Sequence, residues 1–138
     1  MKRLAENSGV HHYVEFTGAL DEEQKNERLR HAHFLLHTSV REGWGLNVIE
    51  ANAMGTPAAV YPVGGLIEST LHDETGIVAE KETPEALARA LTKIFKSPES
   101  YARLRVNAWN RSKTFAWEKV LPPVCDWLES LAAQKISK

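Results

Sequence analysis

Phe34-Leu35-Leu36-His37 is followed by a polar stretch, then by Glu42-Gly43-Trp44-Gly45-Leu46-Asn47-Val48-Ile49-Glu50-Ala51-Asn52-Ala53-Met54-Gly55-Thr56-Pro57, and then by Ala58-Ala59-Val60-Tyr61. The two outer runs are short and apolar, the length of buried strands. Between them a Gly-rich loop leads into a helix from about Leu46, which Gly55 stops with Pro57 just beyond. Strand, loop, helix and strand in that order predict parallel pairing in an α/β sheet. Parallel sheets take ligands beyond the carboxyl ends of their strands. The loop after Phe34–His37 lies at such an end.

The pattern continues in both directions. Upstream, Tyr13-Val14-Glu15-Phe16 is β-branched and aromatic and is closed by Thr17-Gly18, which predicts a short strand. Asp21 and Gln24 stand in capping-box spacing and open a polar helix to about Arg30. Downstream, Pro62-Val63-Gly64-Gly65 is a turn before a short helix near Ile67–Leu71, and Thr75-Gly76 delivers a fourth strand, Ile77-Val78-Ala79. Thr83-Pro84-Glu85 and Ser97-Pro98-Glu99 each pair an N-cap with proline at the first helical position. The first helix shows Leu87, Leu91, Ile94 and Phe95 on one face, the second Tyr101, Leu104 and Ala108. A helical C-terminal tail carries Trp117, Val120, Val124, Leu128 and Leu131. Pro122-Pro123 interrupts it, and an interior proline costs about 3 kcal/mol, so a kink or two pieces is expected. Trp109, Trp117, Trp127 and Cys125 lie on helical apolar patterns and read as core.

With 138 residues and no repeat or flexible linker, positions 1–138 read as one domain. Seventeen basic residues against 18 acidic ones leave no electrostatic reason to bind nucleic acid or an anionic membrane. No apolar run approaches the ~20 residues of a membrane span. The polar N-terminus lacks a signal-peptide core, and a lone cysteine suits a reducing compartment, so a cytoplasmic location is expected.

Glu42 and Glu50 flank the Gly43–Gly45 turn and the start of the helix. The glycines let the backbone turn sharply and approach a ligand closely. Unpaired amides near Leu46 and Asn47, with the helix dipole, suit a phosphate. One turn further in, the Glu50 carboxylate can accept hydrogen bonds from vicinal hydroxyls, as acidic residues hold ribose in dinucleotide folds. Glu42, ahead of the helix, reaches a second polyhydroxyl group beyond the phosphates. The segment is shaped for sugar, two phosphates and ribose, that is, a nucleotide-sugar.

The stretch from Ser39 to Pro57 resembles the signature of the GT-B retaining glycosyltransferases of group 1 (family 4). The resemblance extends to Val14–Gly18, Gly64-Gly65, Thr75-Gly76 and Phe115-Ala116-Trp117-Glu118. It implies a Rossmann-like parallel sheet, part of a GT-B donor domain, and hexosyl transfer from a UDP- or GDP-sugar. It assigns Glu42 to the donor sugar as the catalytic-site carboxylate and Glu50 to the ribose. The Leu46 and Asn47 amides then face the diphosphate, and Gly43, Trp44 and Gly45 complete the donor site. No bound metal or other cofactor is implied; the nucleotide-sugar is the substrate. The family's donor domain starts with two further strand–helix units carrying an Arg and a Lys for the diphosphate, and its acceptor domain carries an active-site His. None of these is placed on this chain, and Met1 falls where the family is inside a helix. A non-catalytic remnant or interaction module, or one chain of a split glycosyltransferase, are therefore the alternatives.

Other features read more plainly. His11-His12, His31, His33 and His37 match no zinc spacing and read as solvated or capping residues. Trp44 is either a lid over the donor or a packed loop anchor. No G-x-G-x-x-G occurs, which disfavours a dinucleotide oxidoreductase. In the family the strand equivalent to Phe34–His37 is flanked by one this chain does not contain, and an open edge is a template for pairing. The Val14–Phe16 strand can close that edge only by leaving one face of the sheet bare. Either way the partner expected is a second copy of the chain or the missing glycosyltransferase half.

Overall fold

The computed structural model describes residues 1–136. Three short strands, β1 (Leu35–His37), β2 (Ala58–Val60) and β3 (Gly76–Val78), pair in parallel in that order. Helices α1 (Lys2–Asn7), α2 (Glu22–His31), α3 (Leu46–Ala53), α4 (Gly64–Ser69), α5 (Pro84–Phe95), α6 (Pro98–Ser112) and α7 (Trp117–Ile136) surround and extend the sheet. The result is a Rossmann-like α/β fold with a helical C-terminal tail.

The caps form where the residue types place them. The Gln24 amide donates to Asp21 Oδ1 at 2.8 Å and the Asp21 amide returns a bond to Gln24 Oε1 at 3.3 Å. Thr83 and Ser97 accept from the amides of Ala86 and Ser100, with Pro84 and Pro98 beginning α5 and α6. The other end of α2 is secured from a distance: the buried Thr56 hydroxyl donates to the Leu29 carbonyl and, at 3.3 Å, to that of Ala32.

The sheet is buried at its centre. Ala58, Ala59 and Val60 are all fully inaccessible, and successive strand residues face opposite sides, so both faces of β2 are covered. Val48 of α3, Leu66 of α4, Leu87 and Ile94 of α5 and Leu104 of α6 complete the core. Phe34, Phe95 and Tyr101 meet around the entry to β1 at ring separations of 5.5–6.2 Å. The Tyr101 hydroxyl donates to the His33 carbonyl at 3.2 Å.

The cover stops at β1. Leu36 is in register with the inaccessible Ala59, on the same face of the sheet, yet is 54% exposed. Val14–Phe16 does not close this edge, and the uncovered surface of the sheet is at β1.

Several expectations are corrected. Tyr13–Phe16 is not a strand. A 3-10 turn spans His11–Tyr13, Val14 continues extended, and the described strands are the three above. The segment pairs with neither edge of the sheet. It is tied to α2 by a two-pronged Arg28–Glu15 ion pair, Nη1 to Oε2 at 2.5 Å and Nη2 to Oε1 at 2.6 Å. That pairing holds the exposed Glu15 carboxyl below its usual range. Pro122 and Pro123 do not divide the tail, because α7 runs through both. Residues 118 and 119, whose carbonyls lose their usual partners, are exposed, so water can satisfy them. Trp117 and Trp127 are exposed, as is Cys125, because α7 projects from the body of the fold and nothing among the described residues covers its apolar side; Trp109 of α6 is exposed as well, with Lys113 Nζ 3.0 Å over its ring.

Candidate functional site

β1 ends on His37, and the chain turns through a loop before entering α3. In that loop the Ser39 hydroxyl donates to the Arg41 carbonyl at 2.7 Å. Glu42 follows with its side chain 30% exposed. Its Oε2 lies 3.0 Å from His37 Nε2, and its Oε1 accepts from the Gly43 amide at 3.1 Å. An ionised carboxylate only accepts, so in this pair Nε2 carries the proton. His37 is thus no solvated histidine: its side chain is 17% exposed and holds Glu42.

Gly45 makes the turn into α3. It is the N-cap, with φ 86° and ψ 60°, in the left-handed region that a side chain disfavours. A Cβ there would also meet Leu66 Cδ2 at 2.9 Å and Ser69 Oγ at 3.1 Å. No side chain caps α3, so the first amides, at Leu46 and Asn47, are left to solvent or a ligand. Leu46 itself is 69% exposed.

Glu50 lies on the second turn of α3, about 6 Å further along the axis than Leu46. Lys25 of α2 donates to Glu50 Oε2 at 3.0 Å and also to Glu22. Hydrogen bonds to Glu22 and then to Glu50 raise the Lys25 pKa above its ordinary value. The pair is solvent-exposed, so it orients Glu50 more than it stabilises the fold.

Trp44 is an anchor. Its ring meets Phe115 edge-on at 5.0 Å, and the Arg111 guanidinium stands 5.5 Å over Phe115. Arg111 also donates to the final carbonyls of α4, those of Ser69 and, at 2.7 Å, Glu68. Burial lowers its pKa, and the negative charge of Glu74 opposes that. Beside Glu50 a groove of about 660 Å³ runs between α3 and the α6–α7 junction, lined by Leu46, Ile49, Trp109 and Trp117. Among the described residues no group of three or more His, Cys, Asp and Glu is placed to hold a metal ion. No helix there is long and apolar enough to cross a membrane.

Three residues beyond the motif matter. His37 was legible only as the last residue of a strand at its ligand end. Lys25 lies 25 positions from Glu50, so no local pattern could pair them. Gly65, read as a turn residue, faces the loop: a Cβ there would stand 2.5 Å from the Glu42 carbonyl oxygen and from Gly43 C and O.

Fold and site together define a Rossmann-like α/β scaffold with a polar, glycine-bearing loop after β1. Residues 1–111 match the family of glycosyl transferases group 1, and the chain belongs to it. A D-inositol 3-phosphate glycosyltransferase of Streptomyces griseus is 31% identical over 126 residues, 91% of this chain and 27% of that protein. An uncharacterised glycosyltransferase of Methanocaldococcus jannaschii is 29% identical over 87% of this chain and 34% of its own. Among solved structures, a sucrose-phosphate synthase of Thermosynechococcus elongatus superposes with a TM-score of 0.87 at 29% identity, over 96% of this chain and 34% of that one. Anabaena HepE in complex with UDP shares the fold, with a TM-score of 0.83 at 21% identity, over 93% of this chain and 35% of its own. The chain spans about a quarter to a third of the length of these relatives.

Gly65→Ala should destabilise the protein by about 1–3 kcal/mol, because the new methyl meets backbone that cannot swing aside. The neighbouring Gly64→Ala, with nothing within 4 Å, should be neutral or slightly stabilising. Urea denaturation of both variants, with amide spectra over residues 42–45, decides this. Equal stability of the two would mean that α4 does not back the loop.

Proposed function

We propose that this chain is the nucleotide-sugar-binding portion of a retaining glycosyltransferase, taking a UDP- or GDP-hexose. The observation that carries the reading is the placement of Glu42 and Glu50 on either side of an uncapped helix start. Glu42 accepts hydrogen bonds from the hexose hydroxyls. The Leu46 and Asn47 amides receive the diphosphate, aided by the helix dipole. Glu50 accepts from the ribose hydroxyls while Lys25 shares its carboxylate. HepE was solved with UDP and with UDP and glucose, which supports this ligand class. A cytoplasmic location suits such a substrate.

The first turn of α3, residues 46–49, carries no basic side chain, so its amides meet the diphosphate without a countercharge of their own. A charge-assisted bond contributes about 1.5–3 kcal/mol, and its absence costs one to two orders of magnitude in affinity. UDP or GDP should bind with a dissociation constant no tighter than about 1 mM. NMR titration should move the amides of residues 46–50, and Glu50→Ala should abolish the shifts. Unmoved amides at saturating nucleotide would remove the reading.

Transfer also needs the acceptor oxygen held close to the donor carbon, and that positioning supplies much of the rate. The described residues form one three-stranded domain and present no second domain to orient a nucleophile. The purified 138-residue chain should therefore turn over no donor. Turnover above buffer that disappears in Glu42→Ala would overturn this.

A second reading concerns assembly, and the exposed Leu36 on an edge strand favours it together with Trp117, Val124, Trp127 and Leu131 along α7. Apolar surface of this kind marks association with a second copy of the chain, or with a separately supplied glycosyltransferase half. Light scattering at tens of micromolar should give a dimer mass. A monomer mass that does not change on dilution would refute self-association.

A further inference from the structure

We propose that His37 is the positioning residue for Glu42, fixing the carboxylate that meets the donor hexose and so setting the sugar's share of the binding. The inference rests on the reading of Glu42 as the hexose contact. His37 closes β1, so its backbone is held by the sheet, and its carbonyl accepts from the Tyr61 amide at 3.2 Å. Its ring is largely buried, and Nε2 reaches Glu42 Oε2 at 3.0 Å. The Gly43 amide takes the other oxygen at 3.1 Å, and Gly65 packs against the backbone on which Glu42 rides.

Glu42 is therefore clamped at both oxygens and from behind. A carboxylate offers about four acceptor positions, and the two donors occupy one on each oxygen. The remaining positions stay open to hydroxyls. An untethered glutamate on a loop would lose rotamer freedom when a sugar bound. Here His37 removes that freedom beforehand, and Nε2–H supplies a strong bond because its acceptor is charged. The nucleotide touches none of this: its partners are the start of α3 and Glu50. Loss of His37 should therefore weaken the hexose contribution and leave the nucleotide contribution intact.

The test uses the 138-residue chain with UDP and UDP-glucose as paired probes, read by NMR titration. In the unaltered protein UDP-glucose should bind about tenfold more tightly than UDP. His37→Ala should bring the two constants together without changing that of UDP. His37→Gln, whose Nε2 can donate from nearly the same place, should restore most of the difference. An unchanged ratio in His37→Ala overturns the proposal, while an unaltered chain that binds neither probe, nor GDP and GDP-mannose in their place, overturns the parent reading and this one with it. A ligand-free measurement separates the two. Long-range nitrogen–proton spectra should find the His37 ring protonated at Nε2 and perturbed by Glu42→Gln. A ring protonated only at Nδ1 rules out the clamp whatever the nucleotide does.

Discussion

There is no room for a methyl group where α4 meets the loop after β1. Gly65 backs directly on the carbonyls of Glu42 and Gly43, and Gly45 sits between Leu66 and Ser69 in a conformation that side chains disfavour. These two close approaches fix where the loop ends and α3 begins. From them follow the direction of the α3 axis, the exposure of its first amides and the height of Glu50 above them. α4 is itself held from the far side, because Arg111 reaches its last two carbonyls and stacks over the ring that anchors Trp44. The loop is thus set by backbone contact on one side and an aromatic–cation stack on the other.

The two carboxylates are treated alike although their surroundings differ. Each has a donor from a separate element: His37 at the end of β1 for Glu42, and Lys25 from α2 for Glu50. Neither is deeply buried: their side chains are 30% and 48% exposed. Donors at both oxygens of Glu42 and at one of Glu50 fix the carboxylates at little cost in desolvation, because their remaining acceptor positions stay exposed.

Much of this was legible in the sequence. Glycine, proline and capping residues punctuate the chain strongly, so the helices beginning at Glu22, Leu46, Pro84 and Pro98 start where Asp21, Gly45, Thr83 and Ser97 say they should. The motif residues Glu42 to Glu50 fall on the loop and helix expected of them. What failed were statements that need a partner. Tyr13–Phe16 has the composition of a strand, but a strand exists only beside another, and this segment is held against α2 by the Arg28–Glu15 pair instead of along the open edge of β1. Trp109, Trp117 and Trp127 fall in helical stripes, but a stripe says only which residues share a face, not whether anything covers it. Proline within α7 was read by the cost of an interior helix position, yet the helix runs through both because the carbonyls it frees, at residues 118 and 119, face water. Long-range pairs such as Lys25–Glu50 have no local signature at all.

The distribution of burial explains why a three-stranded sheet suffices as a platform. β2 is made of the small residues Ala58 and Ala59 with Val60, and Gly76 beside it approaches the Ala58 carbonyl too closely for any side chain. Small residues bring covering helices close to the strand, so the centre of the sheet is sealed on both faces by few elements. The ligand loop hangs from β1, the least covered strand, but its fixed points are elsewhere: the Tyr61 amide that follows β2, the start of α4 and the aromatic contact of Trp44. Geometry at the carboxyl ends of the strands is therefore inherited from the sealed centre rather than from the open edge. Exposure of Leu36 at that edge therefore leaves the contacts that fix the two carboxylates intact.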